Sequence, residues 1–72
     1  MKYRKTKLYQ QLNAFEACQI AEGFDGLNHS EAEVLTAWQW LIDSGLAWQL
    51  QGWYGRNADL LLANNILSPA NH

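Results

Sequence analysis

AWQWLIDSGLAWQLQGWYGR, residues 37–56, decides how the rest of this chain reads. The stretch holds all four tryptophans (Trp38, Trp40, Trp48, Trp53), Tyr54 and three of the five glycines. It has no histidine and no cysteine, and its only charges are Asp43 and Arg56. Such chemistry suits packing and contact, and is poor material for proton transfer or metal binding.

Working outward towards the N-terminus, the stretch continues a helix with well-marked ends. Ser30 followed by Glu33 has the spacing of a capping box, in which each side chain satisfies the other's orphan backbone N–H. Asp43, Ser44 and Gly45 close the helix, with glycine supplying the left-handed stop and Leu46 positioned to fold back on Leu41. At 100° per residue, Val34, Leu35, Trp38, Leu41 and Ile42 share one apolar arc with Trp38 near its centre. Trp38 is therefore expected in the core. Trp40 points about 200° from that centre, beside Thr36 on the face expected to be polar, and so demands a partner. Either the terminal segments cover it, or it is an intermolecular contact.

Residues 46–55 carry two periods. Leu46, Leu50, Trp53 and Tyr54 make a helical stripe, while Leu46, Trp48 and Leu50 also alternate as a strand would. No second strand is available for pairing, so a helix bent at Gly52 and Gly55 is expected. The word AWQ recurs at 37 and 47, each copy followed by a glycine eight residues later, Gly45 and Gly55. A last helix is expected from Asn57 as N-cap, with Asp59 favourably placed against the helix dipole. Leu60, Leu61 and Leu62 carry its apolar side, and Asn65 ends it in the left-handed region. Ile66 and Leu67 pack back before Ser68 and Pro69.

At the other end, Thr6 is a candidate N-cap for a helix over residues 7–22. Leu8, Leu12 and Phe15 form its stripe, with Tyr9 and Ile20 on the flank, and Gly23 stops it. Phe24 beyond the stop can fold back. Residues 23–29 (GFDGLNH) are dense in turn formers. The expected division is a basic arm at 1–6, one helical domain at 7–68 and a disordered tail at 69–72.

Seventy-two residues bound the chain to one domain of marginal stability. Aromatic rings that each bury roughly 150–250 Å² compensate for the small core. The single cysteine, Cys18, allows no internal disulfide and reads as a structural thiol in a helix. No apolar run is long enough for a signal peptide or membrane span, so a cytoplasmic protein is expected. The net charge of −2 conceals an asymmetry. Lys2, Arg4, Lys5 and Lys7 crowd the first seven residues, whereas residues 8–72 carry seven acids against Arg56, a net of −6. A basic arm of this kind steers towards anionic partners or is simply solvated, with solvation the expectation here.

Catalytic chemistry is not expected. Two isolated histidines and one helical cysteine assemble neither a nucleophile–base–acid set nor a metal site, and GWYGR has the wrong spacing for a phosphate loop. Glu31 and Glu33 are explained by the helix N-terminus they occupy. A helix-turn-helix DNA reader would need Ala58 to Asn65 as recognition helix, and ADLLLANN has no Lys or Arg.

LIDSGLAWQLQGWYGRNADLL, beginning at Leu41, resembles a block found in small uncharacterised proteins of tailed bacteriophages and prophages. The family's block is close to L-I-D-[ST]-G-L-A-W-Q-L-Q-G-x-Y-G-R-[ST]-A-x-x-L-I followed by a glycine. The likeness covers about a third of the chain and excludes its first forty residues. The sequence departs at Asn57, where Ser or Thr is usual, and at Asn65, where glycine is usual; both swaps keep a capping role. The resemblance implies a phage context and no transferable activity.

The expected fold is all-α, three to four short helices around a Leu/Trp/Tyr core with the third element irregular. The expected function is contact with another protein, of the host or the phage, in the host cytoplasm, without cofactor. Trp40, Trp48, Trp53, Tyr54 and Arg56 are the candidate protein-binding residues, since Trp, Tyr and Arg dominate binding hot spots. Self-association into a homodimer is a further expectation. Two alternatives remain: a nucleic-acid accessory protein using the basic arm, and a carbohydrate or cell-wall binder using exposed rings flanked by Gln49 and Gln51.

Overall fold

A computed structural model describes residues 3–23, 29–50 and 52–69 of the chain. All the regular structure among them is helical. A 3₁₀ turn at Tyr3–Lys5 leads into α1 (Lys7–Gln11), α2 (Ala14–Glu22) and α3 (Glu31–Ser44). A second 3₁₀ turn at Leu46–Trp48 joins α3 to α4 (Gly52–Ala63). The all-α expectation holds. Phe24 and Gln51, and the tail beyond Pro69, lie outside the described residues. No helix among the described residues is long and apolar enough to cross a membrane.

α3 is the hub. It packs against α1, α2 and both 3₁₀ turns. Its ends follow the residues that specify them. Glu33 N–H donates to Ser30 Oγ at 3.2 Å, while Ser30 N–H donates to Glu33 Oε1 at 3.0 Å, closing the capping box. Gly45, at φ 81°, ends the helix and its N–H bonds Ile42 O at 3.1 Å. Trp38, Leu41 and Ile42 are buried, with Val34 and Leu35 half-buried at the margin of the same arc.

The opposite face of α3 is the first correction. Thr36 and Gln39 are polar yet buried, at 2% and 0% exposure, because further chain lies over them. The Gln39 side chain behaves like a strand edge: Nε2 donates to Ser68 O at 2.8 Å and Oε1 accepts from Ser68 N–H at 3.0 Å. Thr36 donates to Ala32 O one turn back. A helix buried on both sides must satisfy its polar groups internally, and no buried side-chain polar atom among the described residues lacks a partner.

The second correction concerns the basic arm, of which Tyr3 and Arg4 are docked while Lys5 stays exposed as expected. Arg4, 39 residues before Asp43 in sequence, grips that carboxylate with Nε at 2.7 Å and a terminal nitrogen at 2.6 Å. The same guanidinium donates to Pro69 O at 2.7 Å, so the start of the expected tail is held as well. Tyr3 packs against the core.

The first helix is two. Thr6 caps α1 as expected, its Oγ1 accepting from Tyr9 N–H at 3.1 Å. Leu12 then turns extended, and Asn13 caps α2 by accepting from Glu16 N–H at 2.9 Å. Leu12 and Ile20 are buried, whereas Phe15, expected on the stripe, is 71% exposed. The break at residue 12 rotates α2 relative to α1, so one continuous stripe no longer exists. Gly23 stops α2 at φ 72°.

The last helix starts five residues earlier than expected, at Gly52, and contains both Gly52 and Gly55. Asn57 is therefore no cap; its side chain donates to Trp53 O inside the helix at 2.8 Å. Gly55 sits in the interior because a Cβ there would come within 3.3 Å of Trp48 Cδ1 and 3.7 Å of Ala47 O. That close approach lets the second 3₁₀ turn lie on α4. The C-terminus has the Schellman pattern: Asn65 is left-handed at φ 58°, its N–H bonds Leu62 O at 3.1 Å, and Ile66 N–H bonds Leu61 O at 3.0 Å. Leu67 is buried as expected; Ile66 is 44% exposed instead.

Candidate functional site

The five residues singled out by the sequence separate into three environments. Tyr54 is buried at 5% exposure and belongs to the core. Trp40 is half-buried and packs against the core. Neither offers an open contact surface. Trp48 and Trp53 are 46% and 42% exposed, and Arg56 is exposed beside them. Three of the five are thus exposed, along the second 3₁₀ turn and α4.

Trp53 is held on edge by its neighbours. Its ring lies 5.7 Å from that of Trp38 and 4.9 Å from that of Tyr54, the latter at an interplanar angle of 83°. Trp38 and Tyr54 are 5.7 Å apart. Edge-to-face and tilted pairs at these separations favour aromatic quadrupoles and fix the rings. Trp38 and Tyr54 form the buried base of this cluster, and Trp53 carries it to the surface.

Trp48 is fixed by a different device. Its Nε1–H donates to Asp59 Oδ1 at 3.1 Å, and its ring lies over Gly55. Asp59 was expected to serve the helix dipole in a first turn; α4 begins too early for that, and the side chain anchors Trp48 instead.

Sequence reasoning missed two residues of this surface. Leu50 (38% exposed) precedes α4, and Leu60 (61% exposed) was assigned to the apolar side of the last helix. Counting at 100° per residue from Tyr54 and Ala58, which are buried, would have placed Leu60 outside.

The ion-paired cluster around Asp43 is the other concentration of polar groups. Asp43 accepts from Arg4, from Tyr9 Oη at 2.5 Å and from Gln39 Nε2 at 3.0 Å. Burial works to raise its pKa, but the hydrogen bonds from Arg4 and Tyr9 outweigh it and hold the carboxyl below its ordinary value. Burial, then the bond to Asp43, pushes the Tyr9 phenol up to about 12. Both pKa values move away from neutral pH, leaving a carboxylate and a protonated phenol, and the cluster is a clamp joining the N-terminal turn, α1, α3 and the segment at Ser68 and Pro69. Cys18 is half-buried, and burial, with Glu22 nearby, pushes its thiol up, which fits the structural role expected of it.

Comparison with curated proteins and with solved structures finds no match. A protein-family profile described as a domain of unknown function, DUF7417, matches residues 4–72. The match takes in the N-terminal half, outside the block on which the phage resemblance rests, and begins at Arg4, the residue that clamps Asp43. With nearly its whole length matched, the chain belongs to the DUF7417 family.

Proposed function

We propose that this chain is a small protein of tailed-phage or prophage origin that acts without catalysis, by binding another protein in the host cytoplasm. The contact surface is the second 3₁₀ turn with the outer side of α4, carrying Trp48, Leu50, Trp53, Arg56 and Leu60. One observation supports this above the rest. Four of the six large hydrophobics exposed among the described residues (Trp48, Leu50, Trp53 and Leu60) fall within thirteen consecutive positions, 48–60, and two are tryptophans held in place by internal contacts. Pre-fixed aromatics lose little conformational entropy on binding, which is what a hot spot requires.

The nucleic-acid alternative has less to draw on. Arg4 is engaged with Asp43 and Pro69, leaving Lys5 and Lys7 exposed among the described basic residues of the N-terminus. The test is capture from bacterial host lysate by tagged wild type and by Leu60→Glu, whose side chain lies mostly in solvent. A protein retained by wild type and reduced about tenfold or more by the variant, at unchanged melting temperature, is the expected result. Equal capture by both, or ring-dependent saturation by glycans in place of protein, overturns the reading.

A further inference from the structure

We propose that the outer face of α4 pairs, antiparallel and about a two-fold axis, with the same face of a second copy of this chain; the inference rests on the protein-binding reading of this surface and names one partner for it. Gly52, Trp53, Arg56, Asp59, Leu60 and Ala63 are all exposed, while Tyr54 and Ala58 on the other side of the helix are buried. Trp53, Arg56, Leu60 and Ala63 follow one another at intervals of three, four and three, the spacing of a two-helix seam.

The contents of the seam select both partner and direction. With the axis level with Ala58, Trp53 of one copy lies opposite Ala63 of the other, large against small. Leu60 lies opposite the aliphatic stem of Arg56, whose guanidinium then reaches Asp59 of the second copy. Two-fold symmetry makes each contact twice. A parallel pairing would instead set Arg56 against Arg56 and Trp53 against Trp53. Among the described residues Arg56 has no hydrogen-bonding or ionic partner, and Asp59 uses only Oδ1, for Trp48, leaving Oδ2 open. Both charges are thus available to a second copy.

The size of the face sets the strength. Twelve residues of helix span about 18 Å, and even with Trp48 and Leu50 alongside such a seam buries less than the roughly 800 Å² per partner of a standard interface. The dimer is accordingly concentration-dependent rather than obligate.

Sedimentation velocity on the full chain between roughly 10 µM and 1 mM reads the association directly. Wild type is expected to shift from monomer towards dimer over that range. Arg56→Asp alone and Asp59→Arg alone each set like charges opposite one another and weaken association about tenfold or more. Mixing the two variants places opposite charges at both sites and restores association close to wild type. Asp59→Asn, which keeps an acceptor for Trp48, gives a second reading should Asp59→Arg lower the melting temperature. A wild type that stays monomeric throughout, single variants that associate as wild type does, or a mixture no better than its components overturns the pairing. If wild type is monomeric while Leu60→Glu still loses a captured lysate protein, the second copy is refuted and protein binding stands. If the mixture restores a dimer and no lysate protein is captured, the pairing stands and the host partner falls.

Discussion

Replacing Asp43 by asparagine removes one negative charge from the clamp and changes little else in volume. The carboxylate accepts two hydrogen bonds from Arg4, one from Tyr9 and one from Gln39. The Arg4 and Asp43 side chains are 22% and 15% exposed, between the exposed pairs that contribute at most ~1 kcal/mol and the buried ones whose breakage costs about 3–5 kcal/mol. An asparagine also turns one acceptor into a donor facing donors, stranding part of the Arg4 fork. A cost of about 2–3 kcal/mol follows, against a whole stability of roughly 4–11 kcal/mol for a chain of this length. At 4–8 °C per kcal/mol, the melting midpoint falls by roughly 10–20 °C. Circular dichroism melts of Asp43→Asn, Arg4→Ala and the double variant measure the loss and the coupling; the double should lose little more than either single. The sign of the pH dependence is fixed by the lowered Asp43 pKa. Its contribution is fully present above the unfolded value, near 3.8, and is lost as pH falls through the lower folded value. Wild type and Asp43→Asn therefore converge in stability at strongly acid pH. A variant melting within about 3 °C of wild type at neutral pH, or additive losses, would refute the clamp.

Gly45→Val should cost about 1–2 kcal/mol because φ is 81° there, while Asn65→Gly, at φ 58°, should be neutral or stabilising; denaturation midpoints compare them. Trp38→Ala should cost about 3–5 kcal/mol and leave little folded protein by circular dichroism. Trp40→Ala should also destabilise, by about 2 kcal/mol, since its ring packs against the core, yet leave partner capture by the folded fraction unchanged. Gly55→Val should displace Trp48 and cost more than Gly52→Val, where a new Cβ meets nothing within 4 Å; chemical denaturation ranks the pair.

Local signals were legible wherever the physics is local. Ser30 with Glu33, Gly23, Gly45 and Asn65 set helix ends by capping and left-handed backbone, and each acts where the sequence places it. The same grammar was present at Asn13, with Glu16 three residues on, but the apolar spacing of Leu8, Leu12 and Phe15 reads straight across it. Long-range burial was not legible. Thr36 reads as part of a polar face because periodicity equates polar with exposed, yet it is buried, and Arg4 and Ser68 come from the chain ends to satisfy Asp43 and Gln39 along the same helix. The start of α4 was obscured for a related reason. Two glycines each cost a helix about 1 kcal/mol, and the compensating approach of Trp48 to Gly55 exists only in three dimensions. Of the candidate site, Trp48, Trp53 and Arg56 were identified from residue type alone, while Trp40 and Tyr54 were displaced from it by burial.

Site-specific photo-crosslinking inside the bacterial host tests the contact surface most directly. A photoreactive residue replacing Leu60, 61% exposed on α4, is compared with one replacing Phe15, 71% exposed on α2. If exposure alone governed contact, Phe15 would react at least as well. The account predicts a discrete adduct from position 60, its mass distinguishing a second copy from another protein, and no discrete adduct from position 15. Discrete adducts from position 15 with none from position 60 would contradict it.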